Sequence, residues 1–229
     1  MTAFVNIKYF TFVYFFILFL DIIFKNISDF FYVRIFTKLS LVTLLIVFFF
    51  QYNKPIKLLK DKIFLAGLFA FLLGDFFLIF YEYETIYLTG LFCFMLGKIA
   101  YTVRFSNQKD FKIKRLFPFL TILFIYIVFV ASLIFDNLGD FFIPVLLYFF
   151  VSMLIFLFAY LRYDVVNSLS FYLVFAGVVC SVFSDSISVL QSFYNQNFGL
   201  NQYSVMLFYG LFQYLVVLGI TKETVLINE

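Results

Sequence analysis

The sequence predicts an all-α fold, a polytopic membrane helical bundle of eight transmembrane helices, and three observations carry that expectation. Hydrophobic residues fill 65% of the 229 positions and charged residues only 13%, a balance that the interior of a soluble domain this small cannot absorb. Apolar runs of about 16 to 22 residues, long enough to cross roughly 30 Å of hydrocarbon, recur eight times. Short polar linkers separate them, and lysine and arginine concentrate in alternate ones.

The expected spans lie near residues 8–24, 35–51, 63–80, 86–103, 115–134, 141–161, 169–191 and 203–221, within one integral membrane domain covering 1–229. The first has Lys8 ahead of it, as a signal peptide would. It lacks a small-residue cleavage site before Asp21 and Lys25, so it reads as a retained span. The second runs into Asn53, Lys54 and Pro55, a helix stop. An acidic turn at 81–85 joins the third to the fourth. Pro118 and Pro144 fall within a turn of the starts of the fifth and sixth, where a missing backbone donor does least harm. Asn137 to Asp140 turns between those two, and a polar run at 195–202 precedes the last.

Orientation follows from loop charge. Lys54, Lys57, Lys60 and Lys62 lie between spans two and three, and Arg104, Lys109, Lys112, Lys114 and Arg115 between four and five; Lys8, Arg162 and Lys222 share that side. The opposite side has Lys25 and Arg34 and the acidic Glu82, Glu84, Asp136 and Asp140. Both termini are therefore expected in the cytoplasm. The basic loops suit anionic lipid headgroups and give no reason to expect nucleic acid as a partner.

The absence of histidine removes Ser-His and Cys-His nucleophile activation and argues against a transition-metal site. Cys93 and Cys180 both fall inside spans and read as packing residues. What remains is carboxylate chemistry. Asp75 interrupts the run AGLFAFLLGDFFLIF (66–80), and 110 residues later Asp185 interrupts AGVVCSVFSDSISVL (176–190), again after Ala-Gly and a small residue. A carboxylate near the centre of a span costs about 2.5 to 3.5 kcal/mol on insertion scales, so each is expected to face a polar cavity. The recurrence is what a parallel four-helix repeat would leave. Both spans run outward, which places both acids in the outer half of the bilayer.

Helical phase adds neighbours. Gly67, Ala70 and Gly74 form a small-residue stripe beside Asp75; Gly177, Ser181, Ser184 and Ser188 form one beside Asp185. Lys98 and Tyr101 share a face of span four, and Tyr209 and Gln213 a face of span eight. Lys98 lies deep enough to require a counter-charge or a wet cavity, whereas Lys38 lies near an end and has the option of snorkelling. Asp21 reads as an interfacial residue.

The phrases LAGLFAFLLGDFFLIF, TGLFCFMLGKIAYTVRF, VFAGVVCSVFSDSISVL and FYGLFQYLVVLGI, in this order and spacing, resemble the YhhN-like lysoplasmalogenase family of eight-span membrane proteins over roughly residues 35–221. Asp75, Asp185, Tyr101, Tyr209 and Gln213 fall where that family carries recurrent polar residues, and Thr37-Lys38 resembles its span-two motif. Lys98 stands where the family usually shows a histidine. The resemblance implies hydrolysis of the vinyl ether bond of a lysoplasmalogen to a fatty aldehyde and a glycerophospho-base. Asp75 and Asp185 would be the catalytic carboxyls, a pair converging on one shared wet chamber with one as proton donor and the other as stabilising anion, and Lys38, Lys98, Tyr101, Ser184, Tyr209 and Gln213 substrate-binding residues, with no metal or cofactor. A lysophospholipid and the bilayer are the expected partners. The Phe, Ile, Lys and Asn bias suits an AT-rich bacterial genome and hence a plasma membrane. An alternative is a small proton- or ion-coupled transporter using the same acids.

Overall fold

A computed structural model describes residues 6–25, 30–52, 58–80, 82–106, 113–195 and 203–225. The described residues form eight helices long and apolar enough to span a membrane: α1 (Ile7–Phe24), α2 (Phe31–Tyr52), α3 (Leu59–Phe77), α4 (Glu84–Phe105), α5 (Ile113–Ile134), α6 (Phe142–Leu161), α7 (Ser168–Phe193) and α8 (Tyr203–Thr221). They match the expected spans in number and order. Several begin up to four residues earlier, because the backbone stays helical into the polar headgroup zone where side-chain hydropathy has already fallen. Among the described residues the sole extended pairing is the bridge between Val166 and Val225. Lys54, Pro55, Lys57, Lys109 and Lys112 and the run 196–202 lie outside the described residues.

Two turns show local control. The chain leaves α3 through a 3-10 turn at Leu78–Phe80, and Gly139 adopts φ +47° between α5 and α6, a left-handed conformation that costs glycine nothing.

Six helices close a ring in the order α2, α3, α4, α6, α7, α8 and back to α2. α1 covers the seam between α2 and α8; α5 packs on α6 and α7. α5 is the most lipid-exposed span, with Phe117, Ile122, Phe124 and Phe129 facing outward. The main core lies inside the ring and beneath α1, built from Phe10, Phe49, Phe64, Phe71, Phe212 and their neighbours.

Glycine sets the two tightest seams, α3–α4 and α7–α8. A Cβ on Gly67 would sit 3.0 Å from Ala100 Cβ, and one on Gly74 2.3 Å from Phe94 Cδ2. Across the other seam, a Cβ on Gly177 would meet Val216 Cγ2 at 3.0 Å and one on Gly219 would meet Val174 Cγ2 at 2.7 Å. Between transmembrane helices, where lipid competes for apolar contact, such close backbone approach supplies the packing energy.

Opposite the acid-bearing ends of α3 and α7, a clasp of charges ties the helix ends together. Arg104 of α4 pairs with Asp61 of α3 at 3.3 Å and with Glu223 beyond α8 at 3.1 Å. Arg162 after α6 reaches the same Glu223 at 2.7 Å and donates to Ser170 of α7 at 2.9 Å. Asn167 N–H bonds to the Thr224 carbonyl at 3.0 Å, so the segment after α8 is held against the α6–α7 turn. Sequence reading placed Arg104 and Arg162 among loop charges; the structure buries both, because Asp61 and Glu223 neutralise them.

Gly219→Ala is expected to lower stability by about 1 to 3 kcal/mol, since Val174 N stands 3.1 Å from the new Cβ and backbone cannot yield as a side chain can. Thermal unfolding of the purified protein in detergent measures this; an unchanged midpoint would contradict the seam geometry.

Candidate functional site

Each acid meets one lysine and one tyrosine, drawn from two other helices. Asp75 on α3 is 1% exposed. Its Oδ2 accepts from the Tyr209 hydroxyl of α8 at 2.7 Å, and its Oδ1 faces Lys38 Nζ of α2 at 3.6 Å. That second contact is too long for a hydrogen bond, so among the described residues Oδ1 has no donor. One turn along α8, Gln213 Oε1 accepts from the Tyr101 hydroxyl of α4 at 2.9 Å, while Gln213 Nε2 is buried with no acceptor. Asp75 thus keeps a bare oxygen beside an ammonium, and α8 carries a bare amide donor one turn beyond the tyrosine that holds the acid. Phe71 and Phe94 stack around Tyr101 and Tyr209, walling it with aromatic surface.

Asp185 on α7 has the opposite character. Oδ1 accepts from the Tyr148 hydroxyl at 2.7 Å, and Oδ2 accepts from Ser152 Oγ at 3.1 Å, both on α6, and from Lys98 Nζ of α4. Lys98 also donates to Ser152 Oγ at 2.7 Å and lies 4.3 Å from the centre of the Tyr148 ring. Lys98 is 1% exposed and the Asp185 side chain 11%. The deep lysine has its counter-charge, and both acid oxygens are satisfied.

The two centres are counterparts in the two halves. Asp75 and Asp185 are 110 positions apart, and so are Lys38 and Tyr148, which contact them from α2 and α6. The remaining contacts come from α8 in one half and α4 in the other. Lysine and tyrosine have exchanged places: the first half takes its cation from the second helix, the second half from α4. The likeness has a limit, since α1 lies over α2 and α8 but α5 lies over α6 and α7.

The acids do not meet. Asp75 reaches α2 and α8, Asp185 reaches α4 and α6, and the α4–α8 contacts run between them: Phe94 against Tyr209, Tyr101 against Phe212, and the Tyr101–Gln213 bond. Among the described residues no hydrogen bond or ion pair joins the two carboxylates. Of the residues singled out in the sequence, Lys38, Asp75 and Tyr209 come together, as do Lys98 with Asp185 and Tyr101 with Gln213. Ser184 stands apart, donating to the Val205 carbonyl at 3.0 Å as a packing contact between α7 and α8.

Sequence reasoning passed over Tyr148 and Ser152, whose signal was a tyrosine and a serine one helical turn apart in an otherwise apolar span. It also placed Asp21 in the interface. The structure buries Asp21 completely, with Oδ1 accepting from Thr37 at 2.9 Å and Oδ2 unpaired, because α2 folds back across it. Asp21 on α1 and Lys25, which caps its end, face Arg34 and Lys38 on α2, each pair four residues apart. Burial, then the nearby Lys38 and Arg34, push the Lys25 ammonium down to about 7.

A bundle of eight apolar spans enclosing two acid–lysine centres defines an integral membrane protein with polar chemistry held inside the bilayer. Residues 33–220 match the model of the YhhN family, and the chain belongs to that family. The matched region contains both centres; Asp21 and Lys25 precede it. No curated protein and no solved structure matches the chain.

Lys98→Met is expected to destabilise the protein by about 3 to 5 kcal/mol by stranding Asp185, and adding Asp185→Asn is expected to restore much of that loss. A double-mutant cycle of unfolding midpoints tests it. Additive losses would show that the pair is not coupled.

Proposed function

We propose that the protein is a membrane hydrolase that opens the vinyl ether of a lysoplasmalogen, with Asp75 as the proton-transferring group. The observation that carries this reading is the bare Oδ1 of Asp75, whose other oxygen is held by Tyr209, one turn along α8 from Gln213 and its bare Nε2. Family membership supports it at the level of a membrane protein of the YhhN family.

The protonated Asp75 carboxyl gives its proton to the vinyl carbon distal to oxygen, and the electron pair of the double bond becomes the new C–H bond. The resulting oxocarbenium cation lies beside the carboxylate just formed, which stabilises it at short range in low dielectric. Water, its oxygen accepting from Gln213 Nε2, attacks the cationic carbon while the Asp75 carboxylate takes its proton. The hemiacetal then collapses: its C–O bond to glycerol breaks, the glycerol oxygen takes up the hydroxyl proton, and aldehyde and alcohol leave. One carboxyl acts first as acid and then as base, as in the oxocarbenium chemistry of glycosidases. No metal or organic cofactor enters.

In this reading the two acids divide the work rather than sharing a proton. Asp185, with donors on both oxygens, is a fixed anion that seats Lys98 and thereby α4, the helix carrying Tyr101. Lys98 is committed to that pair, so the substrate phosphate falls to Lys38. Tyr101 and Tyr209 hold Gln213 and Asp75 in register, and the phenylalanine walls take the alkyl chain. The bias of lysine and arginine toward the opposite loops supports a centre lying in the non-cytoplasmic half of the membrane.

Purified protein incubated with a lysoplasmalogen is expected to release free aldehyde. Asp75→Asn should lower kcat by about 10²- to 10⁴-fold, the usual worth of a positioned proton donor, and Asp185→Asn by much less once the loss of folded protein is corrected for. Transport would leave the ether intact. An active Asp75→Asn variant would remove the assignment.

A further inference from the structure

We infer that Arg34 and Lys38, with Lys25 behind them, form a receptor for a phosphate group at the mouth of the Asp75 centre, and that Arg34 makes the protein select phosphate-bearing lipids over neutral glycerolipids. This rests on the reading of Asp75 as the reacting group, but the receptor is defined by features of its own.

The first feature is charge. Between the end of α1, the start of α2 and the end of α3, the described residues place three cations, Lys25, Arg34 and Lys38, around two carboxylates, Asp21 and Asp75. Among these described residues the excess is positive, in a region that lipid and neighbouring helices partly desolvate, where an unbalanced charge is costly unless an anion completes it. The second is the pairing already present. Asp21 is held by Thr37 and Asp75 by Tyr209 and Lys38, whereas among the described residues Arg34 Nε is buried without a hydrogen-bond partner. A guanidinium with an unused donor matches the flat, two-point recognition that phosphate oxygens favour.

The third feature is length. Arg34 and Lys38 are one helical turn apart, about 5.4 Å along α2, and Lys38 Nζ stands 3.6 Å from Asp75 Oδ1. In a 1-alkenyl glycerophospholipid, five single bonds separate phosphorus from the ether oxygen, a reach of about 6 Å. A phosphate seated between Arg34 and Lys38 therefore leaves the ether over Asp75. Neutral alkenylglycerol has the same ether but nothing for Arg34 to hold. The drop in the Lys25 pKa, caused by burial and by its cationic neighbours, agrees with a cluster that an added anion would relieve.

The test uses lipids that contain no vinyl ether, so its outcome is independent of hydrolysis. Full-length protein in detergent is titrated with 1-acyl lysophosphatidylcholine, with monoacylglycerol of the same chain and with inorganic phosphate. Arg34→Gln is expected to weaken the lysophospholipid by about tenfold or more and to leave monoacylglycerol unchanged. Arg34→Lys should recover part of the loss, and Lys62→Gln, at the opposite end of α3, should change nothing. In the turnover assay the same Arg34→Gln variant should raise KM for lysoplasmalogen without lowering kcat. Equal weakening of phosphorylated and neutral lipids, or no weakening at all, would overturn the receptor. Inorganic phosphate binding as tightly as the lysophospholipid would identify free phosphate as the ligand and overturn the lipid selectivity. A loss of phospholipid selectivity in a protein that releases no aldehyde would keep the receptor and discard the hydrolase.

Discussion

The structure depends on one constraint: a carboxylate inside a bilayer must be surrounded by donors, and those donors have to come from other helices. Asp75 draws on α2 and α8, Asp185 on α4 and α6. The four recruited helices and the two that carry the acids are the six that close the ring. Polar requirement and helix order are thus one arrangement. Apolar packing alone would not specify it, since the lipid tails outside offer the helices equally apolar surroundings.

Within that arrangement the two halves use the same materials differently. Three donors converge on Asp185, including an ammonium in hydrogen-bond contact, which makes the centre a well-satisfied strut. Asp75 receives one hydroxyl and a more distant ammonium, and keeps an unpaired oxygen. Exchange of lysine and tyrosine between equivalent helices underlies the contrast. A long flexible ammonium from α4 reaches into contact, whereas the one from α2 is shared with the α1–α2 interface and stops short.

The fold was legible in the sequence because hydropathy, loop charge and linker chemistry agree at every span, and lipid imposes the helix as the solution to backbone hydrogen bonding. The acids were legible because a carboxylate in an apolar run is costly wherever it points. Which residues satisfy it was legible only in part. Lys98 announced its need for a partner through depth. Tyr148 did not stand out among seventeen tyrosines, and the burial of Asp21 depends on how α2 folds across α1, which no one-dimensional pattern encodes. The separation of the two acids was also invisible. Repeat spacing places residues at equivalent sites in each half, and says nothing of whether α4 and α8 stand between those sites.

The clasp of Arg104, Arg162, Asp61 and Glu223 has a mechanical consequence. It stitches α3, α4, α6 and the chain after α8 together at one end and reaches α7 through Ser170, and among the described residues its ion pairs involve neither α1 nor α2. α2 is held instead by apolar packing on α3 and α8, and α1 by packing across the α2–α8 seam. Lys38 sits on that side, so the ammonium beside Asp75 is positioned by the fit of apolar side chains and not by the ionic clasp at the other end.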